Sequence, residues 1–136
     1  MVRMILAIVG GFLAWSILWV GSDQVLMSLS PDWYGAHQLA FEKAFTNKTP
    51  FEANTTILFL HLVREVVITL AVGYLTAFIA GENKRSTVIL GVLLLLVGIA
   101  VEAAAWNYIP VWYHIVFLLL LVPVTVAGGR LRSRLS

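Results

Sequence analysis

His61, Arg64 and Glu65 fall within five consecutive positions inside an apolar stretch; Glu102 interrupts a second apolar stretch and His114 a third. Imidazole, guanidinium and carboxylate groups in such surroundings suggest a short list of chemistry. His61 and His114 are candidate axial ligands for a haem or chlorophyll-type ring held by one or both. His61, Glu65, Glu102 and His114 also offer the nitrogen and oxygen donors of a metal site. All five side chains fit a pocket for a lipid headgroup or another small polar ligand. The favoured reading is plainer. An ionisable side chain at membrane depth costs on the order of 2.5 to 3.5 kcal/mol and usually finds a partner. Arg64 is expected to pair with Glu102 across helices, and Glu65 to bond His61 four residues away on one helix face. On that reading no metal and no cofactor is predicted.

Signatures of catalysis are missing. The chain has no nucleophile, base and orienting group in a recognisable set, no phosphate-cradling glycine loop and no H-E-x-x-H helix. It has no cysteine, which removes disulfides, thiolate metal sites and thiol redox chemistry. The expectation is therefore a non-enzymatic protein.

The elements that must position these residues are membrane spans. Hydrophobic residues make up 60% of the 136 and charged residues 12%, against about 45–50% and about 25% in soluble domains. The excess lies in four runs, 4–20, 56–80, 88–105 and 109–127, each near the ~20 residues that a helix needs to cross the hydrocarbon. No short alternating segments of a β-barrel are present. The expected fold is all-α: one integral membrane domain, 1–136, built as a four-transmembrane-helix bundle. A signal peptide is the competing reading of the first run, but that run is long for one and no small-residue cleavage site follows it.

The net charge of +2 is no nucleic-acid signature, because the cations sit at span edges. Arg3 precedes the first run, Lys84 and Arg85 occupy the turn after the second, and Arg130, Arg132 and Arg134 follow the fourth. The loop 22–53 carries Lys43 and Lys48 but also Asp23, Asp32, Glu42 and Glu52. The positive-inside rule then puts both termini in the cytoplasm and this loop outside. With that orientation the five ionisable residues converge on the outer leaflet, ringed by Trp106, Asn107, Tyr108, Trp112 and Tyr113. The inner halves of the third and fourth spans are almost purely aliphatic, which offers no polar path for transport within one chain.

Within the outer loop, Ser30-Pro31-Asp32 has the form of a helix start. Trp33, His37, Ala40, Phe41 and Ala44 then recur at helical spacing, which predicts a short interfacial helix. Gly73, Ala77 and Gly81, Ala7 and Gly11, and Gly10 and Ala14 are spaced by four and predict close helix packing within the chain.

The stretch Gly73-Tyr74-Leu75-Thr76-Ala77-Phe78-Ile79-Ala80-Gly81, followed by a basic turn, resembles small bacterial four-helix integral membrane proteins of unknown function. So do Ile109-Pro110-Val111-Trp112-Tyr113, Leu121-Val122-Pro123 and Gly128-Gly129-Arg130. The resemblance covers roughly the last 65 residues and the layout of the first span. It implies a bacterial inner-membrane protein and assigns no activity or site residue. The expected role is an accessory or structural subunit whose partners are the lipid bilayer and the subunits of a larger membrane complex or further copies of itself. The alternative is a lipid-, ligand- or cofactor-binding protein that uses the outer cluster.

Overall fold

Proline and glycine set most of the element boundaries. The computed structural model describes residues 1–135. α1 runs from Val2 to Leu29 and stops at Ser30, the residue before Pro31, where helical backbone is disfavoured. The Ser30 hydroxyl accepts from the Tyr34 N–H, and Pro31 opens a π-helical turn, Pro31–Gly35. α2 (Ala36–Asn47) follows and ends at Lys48 with φ of 54°. α3 (Thr55–Ala80) is capped by Asn54, whose side chain accepts from the Ile57 N–H. It closes on Gly81, whose φ of 74° lies in the left-handed region that glycine adopts without strain. Arg3 adds a hydrogen bond from Nε to the Ile79 carbonyl at 2.6 Å, a cation on the negative end of the helix dipole. α4 (Ser86–Ala104) begins under Glu82, whose carboxylate accepts from the N–H groups of Lys84, Arg85 and Ser86. α5 (Val111–Leu135) starts directly after Pro110.

The fold is the expected all-α one. Among the described residues there is no strand, and α1, α3, α4 and α5 are each long and apolar enough to cross a membrane. Two boundaries differ. α1 continues past residue 20 for two further turns, because nothing between Gly21 and Leu29 breaks a helix. At 28 residues it is about 42 Å long, well beyond the ~30 Å of hydrocarbon. The connection expected at 22–53 therefore starts at Ser30, and Asp23 is a helical residue. α5 likewise runs on through Gly128 and Gly129, because these glycines serve packing rather than a turn.

α3 is the axis of the bundle. It packs most extensively on α5 and α1, α5 in turn packs on α4, and α3 and α4 touch far less. A Cβ on Gly73 would collide with the Thr125 carbonyl, and one on Gly128 with the Leu70 carbonyl, so here the two backbones are in contact. Ala7 and Ala77 are fully buried, and a Cβ on Gly11 would strike Thr76. The small residues thus serve packing within the chain, as lipid-embedded helices require. Gly81 is the exception, since it is the cap of α3. The core contains Trp15, Leu62, Val72, Leu90, Leu94 and Leu121. The connection 30–54 closes one end of the bundle, here called the loop end; the two termini and the turn 81–85 lie at the other.

Candidate polar site at the loop end

The five sequence-predicted residues all lie at or near the loop end, but they form two bonded groups with different membership from the one expected. The first group centres on Asp23. Its Oδ1 accepts from the Tyr34 hydroxyl at 2.5 Å, from Gln38 Nε2 at 3.0 Å and from Arg64 Nη1 at 3.5 Å. Arg64 Nη1 also donates to the Tyr34 oxygen, and His61 Nδ1 lies 3.4 Å from it. The guanidinium carbon sits 4.2 Å from the centroid of the Trp19 ring, a cation–π contact that covers one face of the charge. Tyr34 is buried. Its burial, together with its bond to the Asp23 carboxylate, pushes the phenol above its ordinary pKa. It therefore remains a neutral donor between an anion and a cation.

The second group holds Glu102 and His114. His114 Nδ1 bonds Glu102 Oε2, and the Trp106 ring stacks on the imidazole at 4.7 Å and 13°. Glu65 belongs to neither group. It is fully buried, and both its oxygens lack a hydrogen bond.

The Arg64–Glu102 pair is thus corrected to Arg64–Asp23 and Glu102–His114, and the Glu65–His61 bond does not form. The reason lies in helix neighbours. Successive residues on a helix point about 100° apart. Arg64 turns toward α1 and meets Asp23, whereas α4 lies against α5, so that Glu102 meets His114. His61 is drawn to Tyr34, which lies across from it, and away from Glu65 one turn below.

Tyr34 and Gln38 are members of the site that the helical pattern did not single out. The π-helical turn inserts one residue into the register, so Trp33 swings outward to 46% exposure and Tyr34 takes the inward place. A Ser-Pro break two turns after the acid at the end of an apolar span is the signal that could have found it.

The paired His61–His114 ligand set and the four-donor metal set do not assemble. His61 and His114 belong to separate bonded groups, and among the described residues no three His, Cys, Asp or Glu side chains are placed to hold one metal ion. His114 Nε2 carries no partner but is enclosed by protein, which leaves no room for a macrocycle at that nitrogen.

A cavity of about 260 Å³ joins the two groups. Asp23, His61 and Arg64 line one side, Glu102 and Tyr113 the other, and Trp19 and Phe41 add aromatic walls. α2 closes it from above through His37 and Gln38, with His37 Nε2 accepting from the Asn54 N–H at 3.1 Å. Pockets for drug-sized ligands run from roughly 300 to 1,000 Å³, so this one suits a smaller molecule.

Away from the loop end the buried polar groups are isolated hydroxyls. Thr87 bonds the Asn83 carbonyl in the turn before α4, Thr125 bonds the Leu121 carbonyl of its own helix, and Trp15 Nε1 donates to Thr69 at 3.4 Å. Among the described residues no hydrogen bond links them into a continuous polar path.

No family model, no curated protein and no solved structure matches this chain. The site's own chemistry carries the functional reading.

Proposed function

We propose that this is a non-enzymatic, multi-pass membrane protein that binds a small polar ligand in the loop-end cavity, with that end facing away from the cytoplasm. The observation that carries the reading is the cavity. It is walled by charged and aromatic side chains, it lies at the loop end of the bundle, and it is backed by a core with no polar exit. A few convergent polar groups in a concave, aromatic-walled space are the usual mark of a ligand site.

The orientation is supported by Arg3, Lys84, Arg85, Arg130, Arg132 and Arg134, all at the terminal end of the bundle. The resemblance noted above points to a bacterial inner membrane. The alternative role, as a subunit docked on a larger complex, draws no support from a particular surface. The exposed sides of the spans, among them Ile17, Val63, Val67 and Leu119, are aliphatic and suit lipid as well as protein.

The test is a thermal-shift screen of small polar molecules on the full chain in nanodiscs, run beside Ala105→Trp, which fills the cavity from its wall. Ligands that raise the melting temperature of the wild type but not of the filled variant support the reading. Ligands that stabilise both equally, or none that stabilises either, overturn it.

A further inference from the structure

We infer that the ligand of the loop-end cavity is a small organic cation, an ammonium held beside Glu102. The inference rests on the reading of that cavity as a ligand site and deepens it.

The local charge balance supports a cation. Three carboxylates meet at this end of the bundle. Asp23 is answered by Arg64, and Glu102 shares a hydrogen bond with His114. Glu65 is answered by nothing, although it is fully buried with both oxygens unpaired. An ionised carboxylate buried without a counter-charge or hydrogen bonds is very costly, and it is relieved either by a nearby cation or by a proton. Its cost falls when a cation arrives nearby. Glu102 is the cavity-wall residue placed to receive one: it spends Oε2 on His114, and its side chain borders the cavity.

The walls fit the same ligand. Phe41, His61 and Tyr113 border the cavity, beside Trp19, whose ring is already engaged by Arg64 and Trp15. Aromatic faces attract ammonium groups, and several such faces around one space form the cage that recognises quaternary ammonium ions. An anion finds no equivalent partner. The Arg64 guanidinium is the one permanent cation on the cavity wall. It is already bound to Asp23 and Tyr34 and covered by Trp19, and its Nε is enclosed by protein. An anionic ligand would have to displace Asp23 to use it.

A proton on Glu65 is the competing way to relieve the stranded charge, and the experiment separates the two. The full chain in nanodiscs is titrated with benzyltrimethylammonium, with neopentylbenzene, its uncharged isostere, and with benzylsulfonate, while tryptophan fluorescence and calorimetry follow binding. The ammonium should bind at least tenfold more tightly than either control. Glu102→Gln and Glu65→Gln, both nearly isosteric, should each weaken it by about tenfold or more. Equal binding of the neutral isostere, or tighter binding of the sulfonate, overturns the cation assignment while leaving the cavity reading intact. Unchanged ammonium affinity in Glu65→Gln means that Glu65 carries a proton, and it overturns that residue's part. If none of the three probes binds and Ala105→Trp alters nothing in the small-molecule screen, both readings fail together. The comparison of charged and neutral probes uses the wild type alone, so it stands even if a variant does not fold.

Discussion

Changing Asp23 to leucine removes the acceptor on which Tyr34, Gln38 and Arg64 converge. Arg64, only 9% exposed, is then left with the Tyr34 hydroxyl and the Trp19 face but no counter-charge. Stripping one partner from a buried ion pair typically costs about 3–5 kcal/mol. Asp23 retains 22% exposure, which lets water screen part of the charge, so the expected loss is about 3 kcal/mol, at the low end of that range. Arg64→Leu strands Asp23 instead and should cost a similar amount. The double variant strands neither charge and should recover about 2 kcal/mol relative to the sum of the single losses, a coupling within the range found for residues in contact. The assay is reversible unfolding in mixed micelles, read by near-ultraviolet circular dichroism, on the wild type, both single variants and the double. The control cycle pairs Arg64→Leu with Glu102→Leu, which belong to different bonded groups and should add to within about 0.5 kcal/mol. A harmless Asp23→Leu, or a coupling larger for Glu102 than for Asp23, would refute the assignment of Arg64 to α1.

The remaining predictions address orientation, the turn and the packing. The native chain has no cysteine, so single cysteines report cleanly: Thr46→Cys should react with an impermeant thiol reagent from outside cells, and Lys84→Cys only after the cytoplasm is opened. Labelling of position 84 from outside would reverse the topology. Burial of Glu82 opposes its charge, but the N–H groups of Arg85, Ser86 and Lys84 outweigh it and hold the carboxyl below its ordinary value. A pKa lowered by folding adds stability that is fully present above the unfolded value of about 4.3 and is lost as the pH falls through the folded one. Glu82→Ala should therefore cost about 1 kcal/mol at pH 7, as loss of a helix cap does, and the gap to wild type should narrow below about pH 4; a gap independent of pH would contradict the capping role. Gly73→Val places a side chain against the Thr125 carbonyl and should cost about 3 kcal/mol, the upper end of overpacking, whereas Gly21→Ala, with open space around it, should stay within about 0.5 kcal/mol of wild type in the same unfolding assay.

The spans were legible because lipid imposes a length and a composition that few other structures share. The runs 56–80 and 88–105 lie within two residues of α3 and α4 at each end. The helix start at Ser30-Pro31-Asp32 was legible too, since proline fixes its own backbone angle and donates no N–H. What hydropathy does not encode is which helices touch. The short turn 81–85 suggests that α3 and α4 are close partners, but glycines 73 and 128 draw α5 against α3, and α4 is left against α5. The expected Arg64–Glu102 pair failed for that reason. Tyr34 escaped notice because a π-helical turn breaks the period that any helical pattern assumes. Glu65 was visible as an intramembrane acid, but its lack of any partner emerges only once the neighbours are placed.

The cavity proposed as a ligand site at the loop end should be reached from the side away from the cytoplasm, past α2. Ala105→Cys puts a thiol on its wall, at a residue only 7% exposed. The most direct measurement is the rate at which a small, impermeant thiol reagent labels that variant in intact cells, with and without saturating benzyltrimethylammonium. Labelling from outside, slowed by the ammonium, is the expected result. A thiol that reacts only from the cytoplasmic side, or only after unfolding, would contradict it.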